Sequence, residues 1–123
     1  MVAITSALFV LALAPAPPDG AALFKSHCAS CHGVSAKGDG VMAPHLLFRP
    51  ADLTLIAKRH AGRFDAEEVY RIVDGRTQVA GHGGTDMPVW GDSFKYDTER
   101  YSEKAVKARI RALVAYLKSI QVK

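Results

Sequence analysis

The sequence predicts an all-α domain in which a few helices are separated by long loops. The C-terminal segment carries one apolar stripe at helical spacing, formed by Val106, Ile110, Leu113, Val114, Leu117 and Ile120. No segment alternates apolar and polar residues for long, so no sheet is predicted. Glycine and proline cluster within residues 33–52 and 75–100, which indicates two long irregular segments.

Length and composition suit one ordinary globular domain. The chain has 123 residues, of which 49% are hydrophobic and 23% are charged, and these values exclude disorder along the whole chain. The 2 cysteines are too few for a disulfide-stapled scaffold. The net charge of +4 is mild and gives no indication of nucleic-acid binding. Because so small a domain has a thin core, we expect a bound group to support it.

The N-terminal residues 2–14 form an apolar run before a proline-rich linker. The run is shorter than the about 20 residues that a bilayer span requires, and its length is typical of a signal peptide. It departs from that pattern because no Lys or Arg precedes it and because proline follows each candidate cleavage site. We expect residues 1–16 to be a signal peptide or a retained short anchor, and residues 17–123 to form the domain.

Helix start and stop signals divide this domain further. A first helix is predicted from Asp19-Gly20, with an apolar face that leads towards the cysteines. A short helix is predicted within residues 52–60. Another helix begins at Asp65, which forms a capping pair with Glu68, and it ends at Asp74-Gly75. The amphipathic C-terminal helix is the last.

Cys28, Cys31 and His32 form a C-x-x-C-H motif, the attachment signature of c-type haem. Thiols at this spacing near a helix end can each form a thioether with a haem vinyl group, and the next residue can offer its imidazole to the iron. A thioredoxin-like motif needs a βαβ context, a structural zinc site needs four ligands, and a disulfide here would be strained. The motif therefore predicts one covalent haem with His32 as proximal ligand.

Met87 is the candidate for the second axial ligand. It follows a glycine-rich segment and precedes Pro88, which stiffens the chain. Thioether sulfur favours ferrous iron, so His/Met ligation raises the reduction potential. A methionine that fills a gap in the core is the alternative. The remaining candidates are too close to the motif in sequence or are expected at the surface; they are Met42, His27, His45, His60 and His82.

The segments CASCHGVSAKGDG, PADLT, VYRIVDGR, MPVWG and LVAYLKSI resemble those of the small class I c-type cytochromes of bacteria. The resemblance extends from about Gly20 to Gln121. It implies the class I cytochrome c fold, in which helices and long loops wrap around one covalently bound haem. It also implies that Gly20 and Phe24 of the first helix pack across Tyr116 of the last. The run QVAGHGGTD before Met87 is an addition relative to the simplest members.

The same resemblance assigns residues around the haem. A proline carbonyl in the loop after the motif is expected to accept the N–H of His32, with Pro44 as the first choice and Pro50 as the second. Leu46 and Trp90 are expected to line the haem crevice. The alternative for Trp90 is that it is an ordinary aromatic residue of the core.

A haem with both axial positions filled is suited to outer-sphere electron transfer and leaves no room for a substrate. We therefore expect an electron carrier of a respiratory chain, not an enzyme, with redox proteins as electron donor and acceptor. No nucleic acid or small-molecule substrate is expected. The protein is predicted to be periplasmic and monomeric. The alternatives are a haem subunit tethered to a dehydrogenase or oxidase complex, and an open-site enzyme or gas sensor if Met87 does not bind iron.

Overall fold

A computed structural model describes residues 16–76, 87–96 and 102–123. The apolar run at residues 2–14 and His82 lie outside the described residues. The described chain forms α1 (Gly20–His27), α2 (Ala29–His32), α3 (Ile56–Arg59), α4 (Ala66–Asp74), α5 (Trp90–Tyr96) and α6 (Glu103–Ser119), with 3₁₀ turns at Ala43–His45 and Leu53–Leu55. Since these residues contain no strand, the predicted all-α class is confirmed. None of the described helices has the length and apolarity that a membrane crossing requires.

The predicted helix boundaries are confirmed where capping residues set them. Asp19 accepts hydrogen bonds from the first backbone N–H groups of α1, and Asp65 does the same for α4. Gly75 ends α4 in the left-handed conformation, with φ of 67°, where glycine has no steric penalty. The short helix predicted within residues 52–60 is a 3₁₀ turn that continues into α3.

Helix α5 lies in the segment that was predicted to be irregular. Its sequence, WGDSFKY, has a glycine at the second position, and glycine costs about 1 kcal/mol within a helix. Phe94, which is fully buried, gives the helix its apolar contact with the core. The prediction failed here because tertiary packing outweighs a weak local propensity.

The core forms around α6, which packs against α1, α4 and α5. Five residues of the predicted stripe are buried and Ile120 is half-buried, so the stripe is confirmed; the buried residues are Val106, Ile110, Leu113, Val114 and Leu117. The core therefore depends on one long amphipathic helix that three others cover.

The crossing of α1 and α6 depends on Gly20. A Cβ atom at Gly20 would overlap the backbone carbonyl of Ala112 and would lie 3.0 Å from the Cβ of Tyr116. One turn further along α1, the ring of Phe24 packs on Tyr116 with 5.3 Å between centroids. The expected packing of the first helix across the last is thus confirmed.

Candidate haem site

The C-x-x-C-H motif lies at the junction of α1 and α2. The backbone N–H of Cys28 donates to the carbonyl of Phe24 at 2.9 Å, and the N–H of His32 donates to the carbonyl of Cys28 at 2.9 Å. Helical hydrogen bonding therefore continues through Cys28. As a result, both thiols and the imidazole are presented from adjacent turns, at the helix end where the sequence places them.

The loop after the motif folds back on it. The N–H of Gly38 donates to the carbonyl of His32 at 2.8 Å, and the N–H of Gly40 donates to the carbonyl of Cys31 at 3.1 Å. A Cβ atom at Gly40 would overlap the carbonyl oxygen of Ser30. These contacts satisfy carbonyls at the end of α2 that would otherwise lack partners, and they fix the backbone on which His32 stands.

The imidazole of His32 is oriented by a backbone carbonyl. Its Nδ1 lies 3.0 Å from the carbonyl oxygen of Ala51. A carbonyl can only accept, so Nδ1 carries the proton and Nε2 keeps a lone pair for a metal. Burial lowers the pKa of His32, and the Ala51 hydrogen bond opposes that effect. The neutral ring that results is the form that binds iron.

The identity of this acceptor corrects the prediction. The carbonyl was expected from Pro44 or else Pro50, and neither residue supplies it. Pro44 lies exposed in the 3₁₀ turn Ala43–His45. The acceptor is Ala51, which directly follows Pro50 in the chain.

The placement of Ala51 follows from its neighbours. Gly38 lies against Pro50 so closely that a Cβ atom at Gly38 would overlap the Pro50 carbonyl. On the other side of Ala51, the N–H of Leu53 donates to the carbonyl of Ala36 at 2.7 Å. These two contacts join the chain around Ala51 to the loop that follows the motif, and Ala51 thereby reaches His32.

Both cysteines are half-buried, and no disulfide joins them. Burial raises the pKa of Cys28 to about 11, and the neighbouring Cys31 adds to the effect. Motifs that exchange thiols and disulfides have lowered thiol pKa values. The environment of Cys28 therefore argues against a redox dithiol.

Apolar side chains project from the loop after the motif. The exposed fractions of Val34, Val41, Leu47 and Phe48 are 81%, 80%, 78% and 61%. Leu46, which was predicted to line the haem crevice, is half-buried. Exposed apolar side chains beside a ligand-bearing helix mark a surface that a bound apolar group can cover. Together with the His32 tautomer and the paired thiols, this surface fits a haem.

Trp90 begins α5, and Met87 lies three residues before it. The Met87 side chain is 37% exposed. Trp90 is half-buried, and its ring lies 5.4 Å from that of His27 and 5.7 Å from that of Phe94. The structure thus places Trp90 against the helix that leads into Cys28, while its contact with a haem stays a prediction.

The other candidate ligands lie where surface residues are expected. His45 and His60 are exposed, and the Nδ1 of His60 is 2.8 Å from the carbonyl of Ile56. Met42 is 43% exposed. In the part of the chain that the structure describes, no three His, Cys, Asp or Glu side chains are grouped for a metal ion.

Sequence reasoning missed Ala51 and Gly40 as parts of the site. Ala51 acts through its backbone carbonyl, and since every residue has one, the residue type gives no indication of this role. Gly40 had a signal in the glycine-rich run after His32, where a close backbone approach is one reason for glycine.

Of three comparisons with known proteins, one gave a match. A search of curated proteins and a search of solved structures each gave none. The family model for cytochrome c matches residues 18–121, a span that contains the motif, Met87 and α6. The chain therefore belongs to the cytochrome c family, as a small class I c-type cytochrome that binds a covalent haem c through Cys28 and Cys31.

Proposed function

We propose that this cytochrome is a one-electron carrier whose iron is ligated by His32 and Met87. The observation that carries the proposal is the 3.0 Å contact between Nδ1 of His32 and the Ala51 carbonyl, because it leaves Nε2 unprotonated for iron. When bound, the haem supplies the reversible one-electron chemistry. His32 and its acceptor carbonyl keep the imidazole neutral and fix the plane of the ring.

Met87 is the residue proposed for the other side of the iron. Met87 is 37% exposed, so it does not belong to the buried core of the described residues. Met87 lies three residues before α5, so the chain on its C-terminal side is attached to a helix. As a soft ligand, the thioether stabilises ferrous over ferric iron and raises the reduction potential.

Two protein ligands leave no iron position for a substrate, so this chain is proposed to exchange electrons and to catalyse no reaction. Its partners are proposed to be a redox protein that donates the electron and another that accepts it. Export to the periplasm is proposed from the N-terminal apolar run.

The test is an optical spectrum of the purified holoprotein in both redox states, followed by carbon monoxide. We expect a low-spin haem in each state and no rapid carbon monoxide binding by the ferrous protein. Rapid binding would contradict the proposal and would favour the open-site enzyme or gas sensor. A spectrum typical of two nitrogen ligands would contradict only the assignment of Met87 and would leave the role as an electron carrier in place.

A further inference from the structure

Arg76 joins the end of α4 to the start of α6. Its Nε lies 2.6 Å from Oδ1 of Asp74, and its Nη2 lies 3.4 Å from Oδ2 of the same carboxylate. Its Nη1 lies 2.8 Å from Oε1 of Glu103. We call these three residues the Arg76 bridge. Since one planar guanidinium contacts both carboxylates, the bridge also fixes their relative positions.

The Arg76 bridge is partly shielded from water. The side chains of Asp74 and Arg76 are 16% and 23% exposed, and that of Glu103 is 45% exposed. Hydrogen bonds to both carboxylates raise the pKa of Arg76, so the guanidinium stays charged. Partial burial weakens screening by salt, which makes this cluster stronger than an isolated surface pair.

The same cluster contacts the start of α5. A Cβ atom at Gly91 would overlap Oδ1 of Asp74 and Nε of Arg76. Close by, a Cβ atom at Gly75 would lie 3.2 Å from the Cα of Val89. The end of α4 therefore packs against the start of α5, and Met87 lies two residues before Val89 in the chain.

Resting on the proposed ligation by Met87, we propose that the Arg76 bridge is a positioning device that holds the Met87 sulfur on the iron. It packs against Gly91, the second residue of α5, and so holds the start of that helix in place. Less conformational entropy is then lost when the sulfur of Met87, three residues before α5, binds. An external ligand can occupy the iron only in molecules from which the sulfur has dissociated. Its apparent affinity therefore reports the fraction of such molecules.

The test measures imidazole binding to the ferric holoprotein, with Arg76→Ala as the first variant. We expect imidazole to bind about tenfold more tightly than to the wild type, because a hydrogen bond to a charged group typically shifts an equilibrium by about that factor. The charge-transfer band of methionine-ligated ferric haem should weaken in parallel. Arg76→Lys keeps the charge but not the two-sided contact, and it should fall between the two.

Two controls separate positioning from general stability. Asp65→Ala removes the N-cap at the far end of α4, and it should lower the unfolding temperature without changing imidazole affinity. In a Met87→Ala background, Arg76→Ala should have no further effect on imidazole affinity, since the sulfur is absent. The proposal would be overturned if Arg76→Ala raised the imidazole affinity equally with and without Met87. It would also be overturned if Asp65→Ala raised that affinity as much as Arg76→Ala does.

The outcome for Met87→Ala alone separates this proposal from the one on which it rests. If that variant leaves the spectrum and the imidazole affinity unchanged, ligation by Met87 is wrong and the role of the Arg76 bridge falls with it. If that variant opens the iron while Arg76→Ala binds imidazole as the wild type does, only the positioning role is overturned.

Discussion

The imidazole ring of His27 meets the indole ring of Trp90 nearly edge-on, with 5.4 Å between the centroids and 69° between the planes. His27 directly precedes Cys28, and Trp90 begins the helix that follows Met87. Phe94 of the same helix also packs edge-on against His27, at 5.2 Å. This aromatic cluster joins α1, which ends next to Cys28, to the helix that follows the proposed axial methionine.

Trp90→Ala should therefore lower the free energy of unfolding of the holoprotein by about 2 kcal/mol, because it removes aromatic contacts on two sides and leaves a cavity. Denaturant titration followed by haem absorbance measures this change. Tyr96→Ala is the matched control, since it removes an aromatic ring of the same helix that is 88% exposed. Equal losses in the two variants would contradict a structural role for the cluster.

Gly20→Ala should also destabilise the protein, although the same change stabilises most helices. The new methyl group would overlap the Ala112 carbonyl, so α1 and α6 would have to separate. We expect a loss of about 1–3 kcal/mol, the usual cost of overpacking, measured by the same denaturant titration. Ala21→Ser, at an exposed position of α1, should have little effect. A Gly20→Ala variant as stable as the wild type would contradict the observed closeness of the two helices.

The parts of the fold that were predicted correctly are those with local causes. Asp19 and Asp65 form caps with backbone groups two and three residues away, so the sequence nearby contains all the information. The apolar stripe of α6 could also be predicted from local sequence, since the spacing of its apolar residues indicates which face of the helix is buried. The C-x-x-C-H motif is equally local, and it predicted the covalent haem.

The parts that could not be predicted depend on distant contacts. Helix α5 exists because Phe94 is buried in a core that other helices supply. Ala51 reaches His32 because separate contacts of its neighbours draw two stretches of chain together. The Arg76 bridge spans 27 positions between Arg76 and Glu103, and no short-range pattern pairs these residues.

The stability of the protein should depend on pH through Asp52, the residue next to Ala51. Its carboxylate accepts hydrogen bonds from the hydroxyl and the N–H of Thr54 at 2.6 and 2.9 Å. The hydroxyl bond is the main reason why the pKa of Asp52 lies below its ordinary value of 3.8. The folded-state pKa is thus the lower one, so the stabilisation is present above pH 3.8 and is lost as pH falls through that folded-state pKa.

Asp52→Asn keeps an acceptor oxygen but cannot titrate. The free energy of unfolding of this variant should consequently fall less steeply than that of the wild type as the pH decreases below 3.8. Urea titrations of both holoproteins over a series of acidic pH values measure the two slopes. Parallel curves would show that this carboxylate has the same pKa in the folded and unfolded states.

Covalent haem retention should depend on each cysteine of the motif. Cys28→Ser and Cys31→Ser each remove one thioether, and replacement of both should release the haem from the polypeptide under denaturing conditions. Intact-mass measurement after denaturation detects whether the haem mass stays with the chain. Ser30→Ala is the control between the two cysteines, since it keeps both sulfurs and removes only a 3.9 Å hydroxyl contact to the Cys31 sulfur. It should leave haem retention unchanged. Full retention by the double serine variant would contradict attachment through these sulfurs.

Met87→Ala should lower the reduction potential and open the iron. Loss of the soft sulfur removes the preference for ferrous iron, and the freed position should bind carbon monoxide within the mixing time. A redox titration measures the potential, and rapid mixing measures the carbon monoxide binding. Met42→Ala is the matched control, because Met42 is comparably exposed at 43% but lies in the loop that follows His32. That variant should keep the wild-type spectrum and potential. If Met42→Ala opened the iron while Met87→Ala did not, the axial sulfur would belong to the loop after the motif and the assignment of Met87 would be wrong.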